Sequence, residues 1–300
     1  MTRIRDLSFA ELKAELAAGL NIRTGRYLFR IHSREPVVVA GVRKLYADFP
    51  IDRDSLRDFH VAVRRPRNIR RWYRPQIVFE FDRTLPFKPL SAAHAFASLE
   101  WGMNWCIAAY GHAFLTLHAA VLERNGRAVL MPGEPGAGKS TLTAALSLSG
   151  WRLLTDETAI VDLETGMVWP VARPVNLKND SIDIISEFSA DAVFGDKVRD
   201  THKGVVAHLK PSEDSVLRMD QACPVGWVVF PRRNAGAESR LTSRSRADTF
   251  VYAAENSFNY NVLGDKGFRA LEKVIRRAEC FDFRYGRLDD AMLTFERLAR

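Results

Sequence analysis

The sequence predicts an α/β protein in which a P-loop domain, residues 111–300, follows a smaller N-terminal α+β domain, residues 1–110. Three observations carry this. The stretch Gly133-Glu134-Pro135-Gly136-Ala137-Gly138-Lys139-Ser140-Thr141 has the spacing of a phosphate-binding loop. It stands between a short apolar run and a stretch rich in helix formers, the strand-loop-helix context the motif needs. Strand-like and helix-like patterns then succeed one another on both sides of it.

Taken in order, Ser8 with Glu11 three residues later makes a capping box, and the helix it starts should reach residue 18 and stop at Gly19. Residues 26–32, 36–42, 59–63 and 76–81 have strand composition. Between the last two lie Arg64, Arg65, Arg67, Arg70, Arg71 and Arg74, interleaved with Trp72 and Tyr73. Such a run is either a solvated basic hairpin or loop, the reading favoured here, or a contact for nucleic acid or an acidic peptide. No RNA-binding fold signature surrounds it. Residues 91–109 read as a helix. Trp101 and Trp105, four apart, should share a face that fills a core or a domain interface. Glu100 and Asn104 share an adjacent face, suited to buried backbone or arginine groups.

Residues 113–122 predict a strand carrying His118, and Asn125-Gly126 a hairpin turn. Residues 127–131 form the buried strand that enters the loop, and residues 141–148 the helix that leaves it, ending near Gly150. Residues 151–155 read as a strand ending in Asp156-Glu157. Residues 158–162 continue as a strand, 164–166 turn, and 167–171 return. Further on, 226–231 is an apolar strand leading to a turn at Arg232-Arg233-Asn234. Residues 247–263 and 267–277 read as helices, 281–285 as a last strand and 289–298 as a closing helix.

The chemistry of the loop follows from its residue types. Glycines let the backbone curl so that its N–H groups point at a phosphate, and the helix N-terminus adds partial positive charge. Lys139 can reach the β- and γ-phosphates of a nucleotide, and Ser140 can offer its hydroxyl to Mg²⁺. Two acids at the end of the next strand are placed to meet that metal.

Composition narrows the remaining classes. The chain has 300 residues, 47% of them hydrophobic and 27% charged, as in ordinary globular proteins. A formal charge of +8 favours acidic ligands or partners. Cys106, Cys223 and Cys280 are far apart and show no zinc spacing, which fits a reducing compartment. No apolar leader opens the sequence. The most apolar region, residues 92–122, contains Glu100, Asn104 and three histidines and is too polar for a membrane span. The expectation is therefore a cytoplasmic protein without a membrane partner.

The stretch from His118 to Asp162 resembles the catalytic core of HPr kinase/phosphorylase. His118 precedes Gly133 by fifteen residues, and Asp156 follows Lys139 by seventeen. That short second spacing separates this pattern from most P-loop nucleotide hydrolases. The chain as a whole resembles the HPr-kinase-related "kinase A" group, through Glu100-Trp-Gly-Met-Asn-Trp105, His118-Ala-Ala, Arg173-Pro-Val-Asn-Leu-Lys-Asn179 and Lys203-Gly204. Kinases acting on lasso-peptide precursors are similar over the core.

The resemblance implies an HPr kinase C-terminal, phosphoenolpyruvate-carboxykinase-like P-loop fold and an ATP- and Mg²⁺-dependent kinase. The γ-phosphate would pass to a hydroxyl, either Ser/Thr of a peptide or small protein or that of a small molecule. It implies Asp156 as the base, Glu157 with Ser140 as metal ligands, and His118 beside the γ-phosphate. Glu157 replaces the family's usual Asp, and a core histidine on its strand is the less favoured reading of His118. Arg173, Lys178, Lys203, Arg232 and Arg233 are candidate phosphate or substrate contacts, each also readable as ordinary charge. The signature tied to phosphorolysis and hexamer formation is missing, while an oligomer stays compatible with the sequence. A nucleotide-binding switch that hydrolyses ATP without an acceptor is the alternative. Nucleic acid is disfavoured as a partner.

Overall fold

The computed structural model describes residues 2–53, 55–133 and 136–300. It is a mixed α/β structure built on three sheets. Helix α1 (Phe9–Ala18) begins as its capping box requires: the Ser8 hydroxyl accepts from the Glu11 N–H at 3.2 Å, and the Glu11 carboxylate accepts from the Ser8 N–H at 2.7 Å. Strands β1 (Leu20–Thr24), β2 (Tyr27–Ser33), β3 (Phe59–Arg64), β4 (Gln76–Phe81) and β5 (Leu90–Ser91) then form the first sheet, in that order.

Residues 36–42, expected as a strand, are helical: α2 spans Pro36–Leu45. The valine run suggested β structure. Pro36 at the first turn favours helix entry, and Val38, Val39, Val42 and Leu45 fall on one buried face at helical spacing. Topology demands the same answer. Strands β2 and β3 are parallel, and a parallel pair needs a crossover element between its strands. Helix α3 (Ala95–Tyr110) covers β3 and β4. The core beneath it gathers Phe29, Ile31, Val61 and Phe79 with Ile160, Val171, Val216 and Met219 from much later in the chain.

The remaining chain supplies β6 (Leu115–Arg124), β7 (Arg127–Pro132), α4 (Lys139–Leu148), β8 (Arg152–Thr155), β9 (Thr158–Val161) and β10 (Val168–Trp169). After these come β11 (Val175–Lys178), α5 (Asp180–Phe188), β12 (Val198–Thr201), β13 (Gly204–Leu209) and α6 (Glu213–Leu217). The chain closes with β14 (Val225–Arg233), β15 (Arg240–Ser243), α7 (Arg246–Glu255), α8 (Tyr260–Leu263), α9 (Asp265–Arg277), β16 (Glu279–Tyr285) and α10 (Leu288–Leu298).

The large sheet has the order β10-β9-β6-β7-β14-β16-β15, with β8 also on β6, and its centre, β7-β14-β16, is parallel. Such a centre needs both faces covered. One face packs on α4, α5 and α10, the other on α7 and α9. Strands β11, β13 and β12 form a small antiparallel sheet against the α4 side.

Two local expectations need correction. The helix expected over 247–263 breaks into α7 and α8, because Asn259 between them is buried and bonded to β6: its Oδ1 accepts from the Thr116 N–H at 2.9 Å, and its amide donates to the Phe114 carbonyl at 2.8 Å. The turn expected at residues 232–234 begins later. Arg232 and Arg233 are the last residues of β14, in register with Arg284 and Tyr285 of β16.

Strands β6 and β8 are pinned by a buried ion pair between Glu123 and Arg152 at 2.7 Å, with Arg218 on the same carboxylate at 3.1 Å. The first sheet's half is tied to the rest through Asp48, which meets Lys210 at 2.6 Å and is also held by Arg5 of its own half at 2.9 Å. The three cysteines are buried and unpaired. Among the described residues no helix is long and apolar enough to cross a membrane.

Candidate active site

Strand β7 runs into the glycine loop at Pro132, and α4 starts at Lys139. Gly133, Gly136 and Gly138 have φ of 146°, 92° and 87°. Gly138 is constrained twice. Its left-handed backbone disfavours any side chain, and a Cβ there would lie 2.6 Å from the Tyr285 hydroxyl. Tyr285 itself reaches back to the Gly138 carbonyl at 3.4 Å, so the last residue of β16 props the loop. Glu134 and Pro135, also expected in the loop, lie outside the described residues. The Lys139 side chain is 7% exposed, with its ammonium turned to the Gly133 carbonyl across the loop. Ala137 leads into the turn, and Ser140 and Thr141 occupy the first turn of α4, whose leading N–H groups have no partner within the helix.

The acid pair owes its position to a break in the sheet. Strand β6 pairs with β9 through residues 115–118 and with β8 through residues 121–123. Asp156 and Glu157 fill the interval between β8 and β9, and the Glu157 carbonyl accepts from the Ala119 N–H at 3.1 Å. Asp156 Oδ2 accepts from the Asn176 N–H at 3.0 Å and, at a long 3.4 Å, from the Ser140 hydroxyl. Its other oxygen, Oδ1, is buried without a hydrogen-bond partner among the described residues. Burial, then the neighbouring Glu157 charge, push the Asp156 carboxyl up to about 6. Glu157 Oε2 accepts from the Asn104 amide at 2.8 Å, and the Thr158 hydroxyl reaches Asn104 Oδ1 at 3.4 Å.

Loop, helix and acids face one cleft of about 710 Å³. His118, Lys139, Ser140, Thr141, Asp156 and Glu157 line it, with Lys178 from β11, Lys203 beside the β12–β13 turn and Arg233 from β14. Burial and the Lys139 charge hold the His118 imidazole below its ordinary value, so it favours the neutral form. The Lys203 ammonium sits 5.3 Å from the Trp101 ring centre, and burial lowers its pKa.

Two of the sequence-derived candidates do not line this cleft, although Arg232 stays beside the glycine loop. Arg173 is buried in a small chamber behind the acid pair, where it meets the Glu100 carboxylate at 3.6 Å and donates to the Glu100 carbonyl at 3.3 Å. The Tyr46 hydroxyl donates to that carboxylate at 2.6 Å. Arg232 and Arg233 part company because successive residues of a strand point to opposite faces. Arg233 turns to the cleft, while Arg232 lines a separate hollow with Gly133, Gly136 and Ala137. The two tryptophans also diverge. Trp105 packs among Phe81, Phe87 and Tyr110, whereas Trp101 lies against His202 and Lys203.

Sequence reasoning missed Asn176, whose N–H orients Asp156, and the bond from Asn104 to Glu157. Both lie in segments that carry the family resemblance, but nothing local assigns either one a partner. Each depends on a partner twenty or more positions away.

The arrangement is that of a mixed α/β protein whose glycine loop opens on a cleft lined by both carboxylates and cations. No protein-family model matches the chain, and no curated protein matches it. Among solved structures, the Hpr(Ser) kinase/phosphatase from Coxiella burnetii aligns over 61% of this chain and 96% of that one, at 14% identity and a TM-score of 0.25. The likeness is distant, and the roles considered below rest on this chain's own residues.

Proposed function

We propose that the protein is an ATP-dependent kinase that transfers the γ-phosphate to a hydroxyl of a peptide or small protein. One observation carries the reading: a buried carboxylate oxygen without a partner, Asp156 Oδ1, stands in the same cleft as a P-loop lysine and serine. A switch that merely binds nucleotide needs a carboxylate for its metal; Glu157 stands in the same cleft for that role, which leaves Asp156 for the acceptor.

On this reading the loop N–H groups and Lys139 hold the β- and γ-phosphates. Lys178, Lys203 and Arg233 add positive charge around the transferring group, where developing charge is spread over its oxygens. Asp156 accepts the proton of the acceptor hydroxyl as the oxygen attacks phosphorus and ADP leaves. Asn176 orients that carboxylate. His118, neutral, lies beside the transferring group as a hydrogen-bonding side chain rather than as another cation.

The residues also suit Mg²⁺. No group of three or more His, Cys, Asp or Glu side chains arranged for a metal occurs among the described residues. Magnesium on a nucleotide takes one or two carboxylates with phosphate oxygens and water. Ser140 and Glu157 would hold it, beside the unpartnered Asp156 oxygen, and it would supply charge neutralisation across the phosphates. The test is incubation with γ-labelled ATP and candidate acceptors, with products read by mass spectrometry. Absence of Mg·ATP binding by calorimetry at millimolar nucleotide would end the proposal.

A further inference from the structure

A second concave surface shares no lining residue with the cleft. It lies where the loop after β3 folds back beside the start of α2, and it encloses about 640 Å³. Five arginines line it, Arg34, Arg64, Arg65, Arg67 and Arg71, against a single carboxylate, Glu35. Two of them are already engaged: Arg64 meets Glu80 at 2.5 Å and Arg65 meets Glu35 at 3.2 Å. Among the described residues, Arg34, Arg67 and Arg71 have no carboxylate within ion-pair distance. The groove is therefore a concentrated patch of positive charge whose guanidinium groups repel one another.

Its rim is apolar. Trp72 lines the groove and is 75% exposed, and its loop neighbours Ile69 and Tyr73 are 70% and 61% exposed. Pro36 and Ala62 add apolar surface within. Large apolar groups held together in water beside concentrated charge mark a contact surface. Forked guanidinium groups match carboxylates two bonds at a time. The occupant that answers both features is a chain bearing carboxylates next to an apolar side chain. A polynucleotide answers them less well. The adjoining hollow on the same sheet sets Glu80 and Asp82 beside Arg83, so the basic surface does not continue over this face as a track for a phosphate backbone.

We propose that this groove binds an acidic, apolar-containing segment of polypeptide, and that the segment belongs to the phosphoacceptor. The second clause rests on the kinase reading above; the first does not. The net charge of the chain alone does not account for it, since two exposed arginines of α9 pair with carboxylates on their own helix, Arg269 with Asp265 and Arg276 with Glu272, and a third, Arg277, donates to the Thr165 carbonyl.

The test uses the full chain and fluorescence anisotropy with three probes: a labelled peptide of Asp and Glu with one Leu, its Asn and Gln counterpart, and a single-stranded oligonucleotide. The acidic peptide should bind, the neutral one should not, and affinity should fall about tenfold from low to high salt. The double variant Arg67→Ser, Arg71→Ser should weaken binding about tenfold, the sum of two exposed charge contacts. Trp72→Ser should weaken it independently, and it decides the matter if the double variant melts early. Removing the same charge elsewhere, with Arg297→Ser and Arg300→Ser, should leave binding unchanged. Lys139→Ala should also leave it unchanged, which separates failure of the groove from failure of the P-loop reading. Tighter binding of the oligonucleotide, or equal losses from the remote variant, overturns the first clause. Once an acceptor is known, its KM should rise in the double variant with kcat constant; an unchanged KM overturns the second.

Discussion

Asn104 and Glu157 are 53 positions apart in sequence and joined by a 2.8 Å hydrogen bond from amide to carboxylate. The bond runs from α3, which covers the first sheet, to an acid of the candidate cleft. The same helix holds Glu100, which binds Arg173 next to that acid. A helix outside the P-loop half thus sets the orientation of a residue at the site.

That bond makes the first prediction. Asn104→Ala should leave ATP affinity nearly unchanged and raise the Mg²⁺ concentration needed for half-maximal turnover about tenfold, the usual effect of losing a group that orients a metal ligand. Magnesium titrations at fixed ATP measure it. An unchanged Mg²⁺ response removes Asn104 from the site.

Lys139→Ala should lower ATP affinity by roughly 10–100-fold, the worth of one charge-assisted contact, and remove most of the rise in melting temperature that Mg·ATP produces. Calorimetry and thermal melts with and without nucleotide read both quantities. Equal affinity in variant and wild type would falsify the phosphate role of the loop.

Asp156→Asn keeps the shape of the side chain and abolishes most of its basicity. Nucleotide binding should persist while phosphoryl transfer falls roughly 10²–10⁴-fold. Glu157→Gln should instead shift the magnesium dependence. Single-turnover rates and Mg²⁺ titrations separate the two. Full transfer by Asp156→Asn leaves the pair as metal ligands alone.

Gly138→Ala should impair nucleotide binding without unfolding the protein. The backbone there is left-handed, and the added methyl meets the Tyr285 hydroxyl at 2.6 Å, so the loop must shift. Tyr285→Phe in the same chain should recover part of the loss by relieving the contact. No recovery shows that backbone strain dominates.

The last prediction concerns stability. Arg152 and Glu123 are 3% and 5% exposed, and Arg152 also donates to the Arg218 and Gln221 carbonyls at 2.9 and 3.0 Å. Arg152→Ala leaves a buried carboxylate without its main partner and should cost about 3–5 kcal/mol. Burial pushes the Glu123 carboxyl up, but bonds from Arg152 and the Gly126 N–H, with the Arg152 and Arg218 charges, leave it below its ordinary value. Its folded pKa is thus depressed. The stability it contributes is complete above the unfolded value of about 4.3 and is lost as pH falls through the folded one. Urea melts across that window should show a steeper acid loss in wild type than in Arg152→Ala.

Much of the local structure was legible in the amino acids. The capping box at Ser8, the Asn125-Gly126 turn with both φ positive at 55° and 77°, and the loop glycines each rest on a backbone requirement met within a few residues. The valine run of α2 misled because β-branched side chains suit strands when judged one at a time. What decided the matter was the parallel pairing of β2 with β3, a contact between segments about thirty residues apart.

By itself, then, the sequence determined what short-range geometry can decide: a strand, a glycine loop and a helix in succession, and two acids at the end of the next strand. The tertiary structure decided which charges reach the cleft. Arg173 is drawn inward by Glu100, the strand period sends Arg232 and Arg233 to opposite sides, and Asn104 arrives from another sheet. The physical reason is range. Dihedral preferences and capping bonds act over three or four residues, whereas the burial of a charge depends on partners that only packing brings within reach.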